Sequence, residues 1–143
     1  MLVKQISVFV ENQPGKLVRL TRTLAENGIG IIAITISDTV DFGILRCIVD
    51  DPDKAYQVLK DGGFTTSMTR VLAVELEDTP GGMSRVLEYL SEGEIDVEYV
   101  YSFMRSHHSK ALILFKVDDS EKALAILQEK GVRILCMEDI LDD

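Results

Sequence analysis

The sequence, 143 residues long, predicts an α+β protein made of two copies of one strand–helix–strand–strand–helix–strand unit. Three observations lead there. The chain repeats itself, each copy switches between alternating and helical apolar spacing, and turn residues punctuate both copies at matching places.

With an offset of sixty-six, Ile6, Val8 and Val10 fall on Leu72, Val74 and Leu76. Glu11, Pro14, Gly15, Arg19, Leu24, Glu26 and Ile29 fall on Glu77, Pro80, Gly81, Arg85, Leu90, Glu92 and Ile95. After "SHHSK" the offset becomes sixty-eight, so that "VDDPDKAYQVLKDGG" meets "VDDSEKALAILQEKG". Insertions settle in exposed loops, so the two extra residues mark a hairpin tip. The duplication divides the chain at residues 1–69 and 70–143.

The elements follow in order. "KQISVFVE" and "RVLAVELE" alternate as first strands. Pro14 and Pro80 suit the first helical position, where a missing N–H costs nothing. Thr79 is then the N-cap of the second copy, with Gln13 and Asn12 serving the first. Leu17, Leu20 and Leu24 share one helix face, matched by Met83, Val86, Leu87 and Leu90, and Asn27-Gly28 ends the first helix. "IGIIAITIS" and "IDVEYVYSFM" are second strands; "GILRCIV" and "ALILFKV" are third strands. The later helices open at Asp51-Pro52 and Asp119-Ser120, and turn Ala55, Val58, Leu59 and Ala123, Ile126, Leu127 inward. They stop at Gly62-Gly63 and Gly131, before fourth strands in "FTTSMTRV" and "VRILCMED".

With right-handed crossovers this order gives the ferredoxin-like βαββαβ layout, an antiparallel four-stranded sheet with both helices on one face. The other face and one edge of each sheet need a cover. A second copy in the same chain is the expected one, the two packing as a pseudo-two-fold pair.

Composition narrows the function classes. No apolar run approaches the ~20 residues of a membrane span, and the N-terminus lacks a signal-peptide layout. A cytoplasmic protein without membrane attachment is expected. Residues 1–70 carry eight basic and eight acidic groups, whereas residues 71–143 carry seven and sixteen, the whole net charge of −9. Such a chain repels phosphate backbones, so nucleic acid is not the expected partner. "FGILRCIV" and "KALILFKV" also lack the aromatic pattern of an RNA-recognition third strand. Cys47 and Cys136 lie in apolar runs without metal spacing and read as buried reduced thiols.

No nucleophile and base, paired carboxylates or metal cluster emerges from the strand pattern, and the glycines form neither GxGxxG nor a P-loop. The expectation is a non-enzyme without metal or cofactor. His107-His108 reads as a solvated hairpin tip, since adjacent strand residues face opposite ways. Tyr99, Tyr101 and Phe103 share a strand face and read as packing residues, as does Tyr89.

"ENQPGKLVRLTRTLAENGIGI" resembles the ACT domain, the small regulatory module of amino-acid metabolism, in its acid/Asn-x-Pro-Gly-x-Leu turn and its "LAENGI" exit. "EDTPGGMSRVLEYLSEGEIDV" looks like the same module with Asp for Asn and Met for Leu. The resemblance covers essentially the entire chain. It implies a small ligand, an amino acid or another small metabolite, held between paired domains by the first strand-to-helix loop of one and the start of the second strand of the other. It also implies a regulatory role, a homodimer, and an enzyme of amino-acid metabolism as partner.

Carried onto this sequence, the ligand residues are Asn12, Gln13, Pro14, Gly15, Lys16 and Leu17 with Gly30 and Ile31, and Asp78, Gly81, Gly82 and Met83 with Asp96 and Val97. The glycines admit a close backbone approach, helix N–H groups suit a carboxylate, and Asn12 can donate or accept. Gly30 and Asp96 stand where some serine-sensing relatives have a second Asn, and Val10 stands where a polar contact is common, so serine is not the indicated ligand. The copies differ, and one competent site is expected, joining the Asn12 loop and Lys16 to Asp96. The bland readings stay beside these: Asn12 and Asp78 as helix caps, Gly15 as a plain turn residue, Lys16 and Asp96 as solvated groups. A non-catalytic interaction or dimerisation module without a small ligand is the alternative function.

Overall fold

A computed structural model describes residues 1–38, 41–103 and 110–142. The chain packs as two units, Lys4–Thr69 and Arg70–Asp143, with Met1–Val3 belonging to the second.

The N-terminal unit runs β1 (Val3–Glu11), α1 (Lys16–Glu26), β2 (Ile31–Asp38), β3 (Phe42–Val49), α2 (Pro52–Asp61) and the first part of β4 (Thr65–Glu77). Its strand order is β2-β3-β1-β4, with β3 antiparallel to both β1 and β2. Alternation puts Ile6 and Val8 of β1 on one face with Leu45, Cys47 and Val49 of β3, where Leu20, Leu24, Ala55 and Leu59 of the two helices close the core. Gln5 points the other way and is fully buried; its amide donates to Thr69 Oγ1 at 3.3 Å.

The C-terminal unit continues along β4 into α3 (Gly82–Glu92), β5 (Val97–Phe103), β6 (Lys110–Val117), α4 (Ser120–Glu129), β7 (Arg133–Leu135) and α5 (Met137–Leu141). The order is β5-β6-β4-β7, with β6 antiparallel to β5 and β4, and β7 antiparallel to β4. Leu72, Val74, Ile113 and Phe115 face Val86, Leu90, Ala123 and Leu127. Leu2 packs against this second core, and Gln128 reaches Met1 Sδ at 3.2 Å.

Four expectations need correction. The fourth strand of the first copy and the first strand of the second are a single thirteen-residue strand, β4, because no Gly or Pro interrupts Thr65–Glu77. The last strand is three residues rather than the length of "VRILCMED". There Asp139 accepts from the Cys136 amide at 3.0 Å and its thiol at 3.1 Å, which starts α5 and ends the strand. Leu17 and Leu87, placed on inward helix faces, are 39% and 38% exposed, so the α1 stripe begins at Leu20 and the α3 stripe of Met83, Val86 and Leu90 skips Leu87. Cys136 is half-buried, whereas Cys47 is buried and its thiol is pushed up to about 12 by desolvation.

The helix starts also differ. Pro14 and Pro80 precede the helices, and none of Asn12, Gln13 or Thr79 supplies a side-chain cap. Instead Gly15 (φ 90°) and Gly81 (φ 94°) take the left-handed N-cap position. The Lys16 amide bonds to the Gln13 carbonyl at 3.3 Å and the Gly82 amide to that of Thr79 at 3.0 Å. Pro at the second place and a positive-φ Gly at the third define a type II turn, which Pro-Gly suits better than a proline-led helix. The later helices start as expected, the Asp51 and Asp119 carboxylates accepting from Lys54 and Lys122 amides at 3.2 and 3.1 Å. His107-His108 and most of the inserted hairpin tip lie outside the described residues.

Candidate functional site

The Asn12 loop gains its surroundings from strand register. Pairing of β1 with β3 sets Glu11 opposite Phe42 and Val10 opposite Gly43, so the head of β3 flanks the turn. The Asn12 amide donates to the Asp41 carbonyl at 3.2 Å. A Cβ on Gly43 would crowd Ile36 Cγ2 at 3.2 Å and make only ordinary contact with Asn12 Oδ1 at 3.5 Å, so the bare position lies beside the Asn12 side chain and gives room chiefly to Ile36.

Two shallow clefts of about 290 Å³ each meet at this loop. Asn12 and Gln13 line one with Asp41 and Phe42; the other adds Pro14, Leu17, Ile36 and Gly43. The exposed side of Leu17 thus forms cleft wall rather than core. Because the type II turn uses the Lys16 amide and Arg19 bonds back to Gly15, the amides of Leu17 and Val18 have no acceptor among the described residues. They form a donor pair at the positive end of α1. Lys16 beside them is half-buried.

The corresponding turn of the second copy has the same backbone but a different surface. Asp78 and Gly81 are exposed, Met83 packs against the core, and Gly82 is buried. A side chain on Gly82 would overlap the Glu77 carbonyl oxygen, so this turn lies tighter on β4 than the one that holds Lys16.

The starts of the second strands are built alike. The Gly30 amide donates to Asp50 at 3.0 Å and the Asp96 amide to Asp118 at 3.1 Å, with the return bonds from the Asp50 and Asp118 amides at 3.0 and 3.1 Å. Both strands then shift register by one residue, between Ile31 and Ala33 and between Val97 and Tyr99. Gly30 is bare for a reason: a Cβ there would stand 2.8 Å from Asp50 Oδ2. Asp96 carries an exposed carboxylate at that place. Ile31 is 39% exposed and Val97 half-buried.

Sequence reasoning missed Asp41, Phe42, Gly43 and Ile36 as neighbours of the loop. Gly43 at the head of an apolar strand was the available signal. Among the described residues no group of His, Cys, Asp and Glu could hold a metal ion, and no helix is long and apolar enough to cross a membrane.

Each βαββαβ unit thus carries a Pro-Gly turn ahead of its first helix. The sequence matches the family described as the ACT domain pair over residues 1–142, and the chain belongs to that family. Protein BT0572 from Bacteroides thetaiotaomicron is 38% identical, with a TM-score of 0.92 over 98% of this chain and 96% of that one. The fold is shared with the regulatory subunit of aspartate kinase from Thermus thermophilus, in its ligand-free form (16% identity, TM-score 0.64, 90% and 93% covered). The same subunit from Thermus flavus is also similar (16% identity, TM-score 0.62, 88% and 90% covered). The search of curated proteins returned no match.

Proposed function

We propose that this protein is an amino-acid-binding regulatory protein that works without catalysis and senses its ligand at the Asn12 loop. One observation carries the reading: the Pro14-Gly15 turn leaves the Leu17 and Val18 amides without acceptors among the described residues, and Leu17 lines one of two clefts of about 290 Å³. The ligand carboxylate goes to those amides, helped by Lys16 and Asn12, and its side chain to the Leu17, Ile36 and Phe42 surface. Asp78, Gly81, Gly82 and Met83 form the weaker counterpart loop, because a carboxylate replaces the amide and the lysine is absent. A cytoplasmic homodimer that acts on an enzyme of amino-acid metabolism completes the proposal. Native mass spectrometry of the full chain with each common amino acid tests it. One bound mass should appear with the wild type and vanish in Asn12→Ala, and equal retention by that variant removes the Asn12 loop as the site.

The second reading, an interaction module without a small ligand, draws on exposed Phe9, Ile34, Ile36 and Phe42, which are 54%, 44%, 47% and 48% accessible. Absence of any bound mass, with a dimer that persists in solution, favours that reading.

A further inference from the structure

Arg19 and Arg85 occupy the same place in the two repeats but live differently. Arg19 donates to the Gly62 carbonyl and lies over the Phe64 ring, 4.4 Å from its centroid. It closes the space between α1 and the end of α2. At the offset of sixty-eight, Phe64 becomes Val132 and Gly62 becomes Lys130. The smaller side chain leaves a cleft of about 380 Å³ between α3, the end of α4 and the last residues of β4. Among the described residues the exposed Arg85 guanidinium has no hydrogen bond or ion pair.

The charge around this cleft is selective. Four of the seven basic residues of the acidic half, Arg85, Lys110, Lys130 and Arg133, line it. Lys110 pairs with Glu77, and Arg133 with Glu75 at 3.3 Å. The cations left over are Arg85 and Lys130, the latter 5.5 Å from the Tyr89 ring centroid. Leu76, Val86 and Val132 supply apolar wall.

We propose that this cleft is a second ligand site, separate from the Asn12 loop, for a small carboxylate with a compact apolar body and no ammonium group, the class of α-keto acids. Arg85 takes the carboxylate in its planar fork, and Val86 and Val132 take the apolar body. An ammonium finds no partner, because both carboxylates already hold cations and the remaining charges would repel it. The cleft therefore discriminates a keto acid from the corresponding amino acid. The N-terminal repeat cannot do this, since Phe64 and Arg19 fill the same place.

Titration of the isotope-labelled full chain with α-ketoisocaproate, followed by amide chemical shifts, tests the proposal. Saturable shifts should gather at Gly82, Val86, Gly131 and Val132, with leucine about tenfold weaker or more at those amides. Arg85→Gln should weaken the keto acid by about tenfold or more. Val132→Phe should abolish the shifts by restoring the plug, and Arg19→Gln should leave them unchanged. Arg85→Gln changes an exposed side chain and carries the test even if Val132→Phe does not fold. Shifts that never saturate, that survive Arg85→Gln, or that leucine produces equally well would overturn the proposal.

Discussion

One oxygen of the Asp50 carboxylate accepts the Gly30 amide at 3.0 Å, while the other stands 2.8 Å from where a Gly30 Cβ would lie. The missing side chain and the carboxylate are therefore one device, which pins the start of β2. Gly30→Ala should cost about 1–2 kcal/mol through displacement of that carboxylate, and Asp50→Ala about 1 kcal/mol through the lost bond. Because both changes act on one contact, the double variant should lose less than the sum in urea denaturation. Additive losses would mean that the two residues act separately.

The second aspartate of each "VDD" is a helix cap. Asp51→Ala and Asp119→Ala should each lower stability by about 1 kcal/mol, with Asn substitution nearly neutral at both places. Chemical denaturation midpoints at constant m-value measure this directly.

Lys16 and Gly82 are repeat equivalents with opposite tolerance. Lys16→Ala leaves the turn intact and should change stability by less than about 0.5 kcal/mol. Gly82→Ala drives a methyl group into the Glu77 carbonyl oxygen and should cost about 2 kcal/mol. Equal effects would contradict the tighter packing of the second turn.

Cys47 gives a pH signature. Burial raises its thiol from the ordinary 9.0 to about 12, so the folded chain holds this proton where the unfolded chain releases it. Its contribution is complete below pH 9.0 and is lost as pH rises toward about 12. Wild type should therefore lose stability more steeply than Cys47→Ala across that window. Cys136, half-buried at the start of α5, should react with thiol reagents in the native state well before Cys47.

The repeat, the element order and the Asp51 and Asp119 caps were legible because each depends on residues close together in sequence. Pro14-Gly15 was ambiguous, since proline suits both a type II turn and a first helical turn, and only the Gly15 φ of 90° separates them. The merger of two strands into β4 was readable from the unbroken Thr65–Glu77 run, but the repeat boundary invited a break there. Asp41, Phe42 and Gly43 join the Asn12 loop only through the register of β1 against β3, a long-range property that no local pattern carries. The Asp139 bond to Cys136 likewise turns an apparent strand into a helix start.

In the proposed function the Asn12 loop binds an amino acid. Thermal denaturation of wild type and Asn12→Ala, each with every common amino acid at millimolar concentration, tests it most directly. Binding to the folded state alone at about 100 times the dissociation constant adds about 2.7 kcal/mol. At least one amino acid should therefore raise the wild-type midpoint by several degrees and leave that of Asn12→Ala nearly unmoved. A flat response of the wild type to every amino acid, or an equal rise in the variant, would exclude the Asn12 loop as an amino-acid site.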